Sequence, residues 1–143
     1  MKYGLRLYDL NAIYDRTSGY CHICHRKLAF YNYGIVDAKG AWEVEHSRPR
    51  ALGGTHHGNN KYAACIPCNR EKGHRFSTRT MRARNGRIRA PLGIKKRREA
   101  KQTQALAGAA LFGIAGYAFG PVGALIGVVI GAAFGEKQNP DQR

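Results

Sequence analysis

Negative charge is what this sequence has least of. Nine Asp and Glu stand against 24 Lys and Arg, a formal net charge of +15 over 143 residues. So few acids set aside a merely solubilising surface, which mixed-sign charge serves better. The excess is also local. Residues 105 to 143 hold Glu136, Lys137, Asp141 and Arg143, which cancel, so all fifteen net positive charges lie before Ala105. A surplus that dense points to a polyanionic partner, because each Lys or Arg that neutralises a phosphate releases condensed counterions. The short length excludes a large apolar core. It leaves room for one small domain with an appendage, and a metal staple would help such a domain. There is no internal repeat beyond a glycine spacing towards the C-terminal end.

The opening segment MKYGLRLYDLNAIYDR has no apolar signal core, so the expectation is a chain without a secretory peptide. Cysteine is also scarce: there are four, Cys21, Cys24, Cys65 and Cys68. In a reducing compartment two disulfides are not expected. Two C-x-x-C pairs instead suit one tetrahedral Zn²⁺, each pair presenting two sulfurs from a tight turn. Such a closed site is structural, with no open position for chemistry. His22 and His25 flank the first pair and are expected at the surface, since four sulfurs suffice.

Coarse patterning follows. Residues 5 to 16 read as a helix with Leu5, Tyr8, Ala12 and Ile13 on its apolar stripe, ended by Thr17-Ser18-Gly19. A short strand is expected over Lys27 to Tyr33, a turn at Lys39-Gly40, and a second strand over Ala41 to His46, ended by Pro49. Residues 50 to 61 form a loop rich in Gly, His and Asn. A helix is predicted from Ile66 to about Arg82. The basic run goes on to Lys101, with thirteen Lys and Arg between Arg70 and Lys101 against Glu71 and Glu99.

Between the cysteine pairs lie Glu45-His46-Ser47-Arg48-Pro49, Gly53-Gly54 and Asn60, followed by Cys65-Ile66-Pro67-Cys68-Asn69-Arg70-Glu71-Lys72-Gly73. In order, spacing and residue type this resembles the HNH endonuclease family over about residues 5 to 80. Hydrolysis of a phosphodiester needs an activated water, a Lewis acid on the phosphate oxygens and help for the leaving oxygen. A neutral imidazole is the natural base near pH 7. The resemblance implies a ββα-metal fold in which Glu45 binds a catalytic divalent ion, His46 is the general base, Asn60 holds the backbone or ring of His46, and Asn69 is the second metal ligand. Adjacent strand residues point to opposite faces, so Glu45 and His46 need a local distortion to serve one site. Many family members carry Asp and His where this chain has Glu45 and Asn69. An amide oxygen suits a hard ion, Mg²⁺ or Mn²⁺. Arg48, Lys72, Arg75, Arg79 and Arg82 are expected on DNA phosphates, with Arg70, Arg84, Arg87 and Arg89 extending that surface. Phosphate contacts position without reading sequence, so double-stranded DNA is the expected partner with little specificity.

Residues 105 to 135 carry no charge, a run of thirty-one where about twenty would span a bilayer. Gly123, Gly127, Gly131 and Gly135 recur every four residues, and Gly116 and Gly120 share the step, the small-x-x-x-small pattern of close-packed membrane helices. Gly120-Pro121 divides the run into halves of about 22 Å each as helices, so it is either one kinked helix or a helical hairpin. Lys95-Lys96-Arg97-Arg98 would hold what precedes them on the cytoplasmic side of a cell membrane.

The expected fold class is α+β: a zinc-stapled nuclease domain (residues 1–84), a basic linker (85–104), a glycine-zipper segment contacting lipid or a second copy of the chain (105–135), and a polar tail (136–143). The expected function is a metal-dependent endonuclease tethered to a membrane in a prokaryote or phage, for phage exclusion or as a toxin. The alternative is a non-catalytic, membrane-anchored zinc-ribbon DNA-binding protein. Glu45, His46, Asn60 and Asn69 separate the two, since a plain ribbon has no use for them.

Overall fold

The computed structural model describes residues 7 to 142. The chain divides into two compact units, Met1–Ile94 and Lys95–Arg143.

The first unit opens with helix α1 (Leu7–Asp15). Leu10 and Ile13 are buried while Ala12 is exposed, so the stripe that seats α1 includes Ile13 but not Ala12; Leu5 lies outside the described residues. Tyr14 extends that stripe, with its hydroxyl donating to the Leu28 carbonyl at 2.7 Å and its ring set edge-on against Phe30. No strand forms over residues 27 to 33. The segment makes single bridges, Tyr20 with Lys27 and Tyr33 with Trp42, around a 3-10 turn at Phe30–Asn32. Its aromatic residues pack on Trp42 instead of pairing in a ladder; Phe30 and Tyr33 both lie against that ring.

The sheet has two antiparallel strands, β1 (Trp42–His46) and β2 (Lys61–Cys65), in the register Trp42 opposite Cys65 and His46 opposite Lys61. Helix α2 (Ile66–Lys72) follows β2 directly, with Pro67 in its first turn, where a missing N–H costs nothing. The single helix expected to Arg82 is two. Gly73, at φ +52, ends α2, and Ser77 caps helix α3 (Thr78–Arg84) by accepting the Thr80 N–H at 3.2 Å. A left-handed glycine followed by a serine cap is a stop and a restart. Trp42, Ile23, Leu28, Ala63, Ala64, Met81 and three of the cysteines make the core. Pairing of β1, β2 and α2 around a cysteine cluster is the α+β architecture that the motif spacing implies.

The second unit is a helical hairpin. Helix α4 (Ile94–Tyr117) takes in the basic residues 95 to 101, part of the expected basic linker over 85 to 104, as its first turns. Good helix formers such as Lys, Arg, Glu, Ala and Gln fill that stretch, which is why it continues into the apolar run without a break. Helix α5 (Gly120–Lys137) returns along α4. Gly120, at φ +84, is the turn and not part of the packed row. β-Carbons at Gly108, Gly116, Gly127 and Gly135 would collide with the carbonyl oxygens of Gly131, Gly123, Phe112 and Gln104. Both helices thus step by four residues, 104, 108, 112, 116 against 135, 131, 127, 123, and the backbones touch along the whole seam. Many of the other apolar side chains are exposed: Leu106, Ile114 and Phe119 are 72%, 77% and 86% exposed. α5 is long and apolar enough to cross a membrane.

Candidate active site and metal centre

Cys21 and Cys24 sit on a knuckle whose turn is closed by the Cys21 N–H on the Arg26 carbonyl at 2.8 Å and the His25 N–H on the Cys21 carbonyl at 3.0 Å. His25 takes φ +64 to make that turn. Cys65 ends β2 and Cys68 lies in the first turn of α2. All four sulfurs fall within 4.8 Å of one another, with Cys24 and Cys65 at 3.8 Å. Four Zn–S bonds of about 2.3 Å at tetrahedral angles require sulfurs about 3.8 Å apart. Backbone N–H groups of Ile23 and Cys65 donate to the Cys21 sulfur at 3.4 and 3.3 Å, as a thiolate requires. The residues present therefore fit a structural zinc ion. His22 and His25 are not at the surface, being 3% and 9% exposed. His22 turns inward, and His25 Nε2 meets the Arg89 carbonyl at 3.0 Å.

β1 is regular to its end, without the distortion that would bring Glu45 and His46 to one site. His46 opens into a cavity of about 440 Å³, lined also by Asn69 and His74 from in and after α2, His56 from the loop, and Lys61 from β2. Its Nε2 is buried and has no hydrogen-bond partner. The His56 ring stands perpendicular to it at 5.2 Å. Partial burial pulls the His46 pKa below the ordinary imidazole value, His56, Lys61 and Lys72 add to this, and Glu45 opposes it. A neutral, unpartnered imidazole facing a cavity can accept a proton or take a ligand.

Glu45 points the other way. It is 1% exposed, and its carboxylate receives His22 Nδ1 at 2.6 Å, Thr78 Oγ1 at 3.0 and 2.8 Å, and the Lys72 ammonium at 3.3 Å. In this structure the carboxylate that was expected on a divalent ion is engaged by protein donors. Lys72, expected on a phosphate, is 2% exposed, and its ammonium donates to the His46 carbonyl at 2.8 Å. Arg82 is half-buried and donates to His22 Nε2 at 2.8 Å. Arg75 and Arg79 are exposed, as is Arg48, whose Nε donates to the Leu52 carbonyl.

Asn60 braces the backbone just after His46 and does not touch its ring. It accepts the Arg48 N–H at 2.8 Å and donates to the Arg48 and Thr55 carbonyls at 2.9 and 2.8 Å. The Gly53-Gly54 pair serves the same loop, since a β-carbon at Gly54 would collide with the Arg48 carbonyl. Asn69 lines the cavity, and its amide nitrogen donates to Glu43 at 3.1 Å, which leaves its oxygen to act as an acceptor. Asn69, His46 and His74 share the lining of this cavity. Sequence reading gave no role to Glu43 or Thr78 and placed His22 at the surface. Only Glu43 carried a signal, its place two residues before Glu45 on the same strand.

A two-stranded sheet running into a helix, closed by four cysteines positioned to hold a metal ion and carrying a histidine at the end of its first strand, defines a small ββα domain. Residues 21–75 match the family model described as HNH endonuclease, so that segment is an HNH endonuclease domain. No curated protein matches the chain, and neither does any solved structure.

Proposed function

We propose that the chain is a metal-dependent endonuclease that hydrolyses phosphodiester bonds of double-stranded DNA, with His46 as the general base. The observation that carries this is the unpartnered Nε2 of His46, a residue that lines a cavity with Asn69 and His74, within an HNH domain. A neutral imidazole with a lowered pKa takes a proton from the attacking water, a contribution of about 10² to 10⁴ in rate. A divalent ion bound there would polarise the scissile phosphate and stabilise the charge that develops on it. Asn60 and Gly54 hold the loop that forms one wall of the site. The exposed Arg75 and Arg79 after α2, with Arg48 on the loop, lie where a duplex backbone would meet them. Such contacts are blind to sequence, so cutting is nearly non-specific.

The exposed apolar surface of the α4–α5 hairpin supports membrane tethering, because water leaves those side chains uncovered while lipid does not. A nuclease held at the cytoplasmic face of a cell membrane would meet DNA as it enters, which suits exclusion of foreign DNA. The test is nicking of supercoiled plasmid by the full chain with EDTA and with Mg²⁺ or Mn²⁺ added back. Cleavage should stop with EDTA and return with the added ion; no cleavage under any ion would remove the reading.

A further inference from the structure

We propose that Glu45 is a positioning residue: with Lys72 it forms a buried charged bridge that carries the geometry of the cysteine knuckle to the backbone of His46. The proposal rests on His46 as the proton acceptor.

The bridge can be followed atom by atom. His22 follows Cys21 on the knuckle, its N–H donates to the Ala63 carbonyl at 2.8 Å, and its ring stacks on Tyr62 at 3.9 Å. Arg82 is always a donor, so Nε2 of His22 must accept from it and the proton must sit on Nδ1. That proton points at Glu45 Oε1, 2.6 Å away. Thr78 Oγ1 lies within hydrogen-bond distance of both carboxylate oxygens, and the Lys72 ammonium reaches Oε2 at 3.3 Å. The same ammonium donates to the His46 carbonyl at 2.8 Å.

Two physical points make this a device for holding His46. An ammonium that is 2% exposed stays charged and in place only beside a compensating charge, and Glu45 is the carboxylate it meets. The atom this ammonium fixes is the main chain of the residue whose ring faces the cavity. A metal ion at Glu45 would have to displace Thr78 or Lys72 from a carboxylate that solvent hardly reaches. Glu45 therefore acts through Lys72, on the side of the strand opposite the His46 ring.

The test uses the full-length protein and two variants, Glu45→Gln and the double variant E45Q/K72M. Gln keeps an acceptor for His22 and Thr78, and Met removes the ammonium that Gln would leave uncompensated. Plasmid nicking is measured across a Mn²⁺ titration, together with zinc content, melting temperature and the NMR signal of the His46 ring, assigned by its loss in His46→Ala. Expected is a fall in kcat of at least ten-fold in both variants, with the Mn²⁺ concentration at half-maximal rate within two-fold of wild type. The His46 signal should shift or broaden in both, while E45Q/K72M keeps its zinc and melts near wild type. Should Glu45→Gln alone fail to fold, the double variant carries the test.

A ten-fold rise in the Mn²⁺ requirement, with kcat recovered at saturation, would make Glu45 a metal ligand and overturn the proposal. Wild-type kcat in zinc-loaded E45Q/K72M would also overturn it, since the bridge would then be structural only. If the wild-type protein does not cleave at all, the nuclease reading fails by itself. The His46 signal still decides the bridge, which is refuted if that signal is unchanged in both variants.

Discussion

His46→Ala removes the ring that faces the cavity and nothing else that the structure uses. The contact that anchors this position is the Lys72 ammonium on the His46 carbonyl, which belongs to the main chain and survives the substitution. The ring itself makes one aromatic contact, with His56 at 5.2 Å. An aromatic pair of that kind is worth about 0.5–1.5 kcal/mol. For a unit of this size, 1 kcal/mol moves the melting temperature by about 4–8 °C. Stability should therefore fall by a few degrees, with zinc retained. The rate should fall far more, because a lost general base costs about 10²- to 10⁴-fold, or roughly 3–5.5 kcal/mol of barrier. Single-turnover nicking of supercoiled plasmid, measured beside zinc content and a melting curve, separates the two effects. A purified, zinc-loaded variant that nicks within three-fold of wild type would refute the argument.

Three further expectations follow from the geometry. Because burial depresses the His46 pKa, the imidazole is neutral at pH 7, and cleavage should fall only as pH drops below about 6.5 and through that lowered value; a rate–pH profile whose acid limb lies above 6.5 contradicts this. The same shift has one sign for stability: the unfolded chain takes up its proton first, so this contribution is present above the ordinary value and lost as pH falls. Cys68→Ser, at the junction of β2 and α2, should abolish zinc binding and unfold the first unit, since a structural zinc site supplies folding free energy directly; a folded, zinc-free variant by circular dichroism and metal analysis would refute it. Gly131→Leu should open the α4–α5 hairpin by forcing its backbones apart, without changing plasmid nicking in detergent, while the wild-type chain stays with membranes through high-salt and alkaline washes; a chain that washes off in salt is not inserted.

What was legible in the sequence was what spacing fixes. Two C-x-x-C pairs specify a tetrahedral centre wherever the chain brings them together, and the alternation around Val44 specifies β1. The glycine step of four and Gly120-Pro121 left one kinked helix and a hairpin both open, and Gly120 turned out to lie in the turn and outside the packed row. What could not be read depended on partners distant in sequence. Glu45 and His46 are neighbours in sequence, and the partners that β1 gives each on opposite faces cannot be read from that neighbourhood. Lys72 reads as a surface charge, because nothing local shows that a carboxylate 27 residues earlier shares its burial. The split between α2 and α3 had a visible cause, Gly73 with Ser77 behind it, but the periodicity of the basic residues across them masked it. β2 follows a loop rich in Gly and Asn, and its Lys-Tyr-Ala-Ala-Cys has no alternation of polar and apolar residues to announce a strand.

The loop between β1 and β2 has a consequence for how this domain can change. Floor and wall of the cavity are built differently. His46, Lys61 and Asn69 stand on the two strands and helix that the cysteine centre ties together, whereas Arg50 and His56 belong to an exposed excursion pinned at its base by Asn60. Closing a longer excursion costs only about 0.6 kcal/mol for each doubling of its length. Residues 50 to 55 can thus be lengthened at little cost to the fold, whereas His56 packs on the His46 ring and ties the far end of the excursion to that side chain.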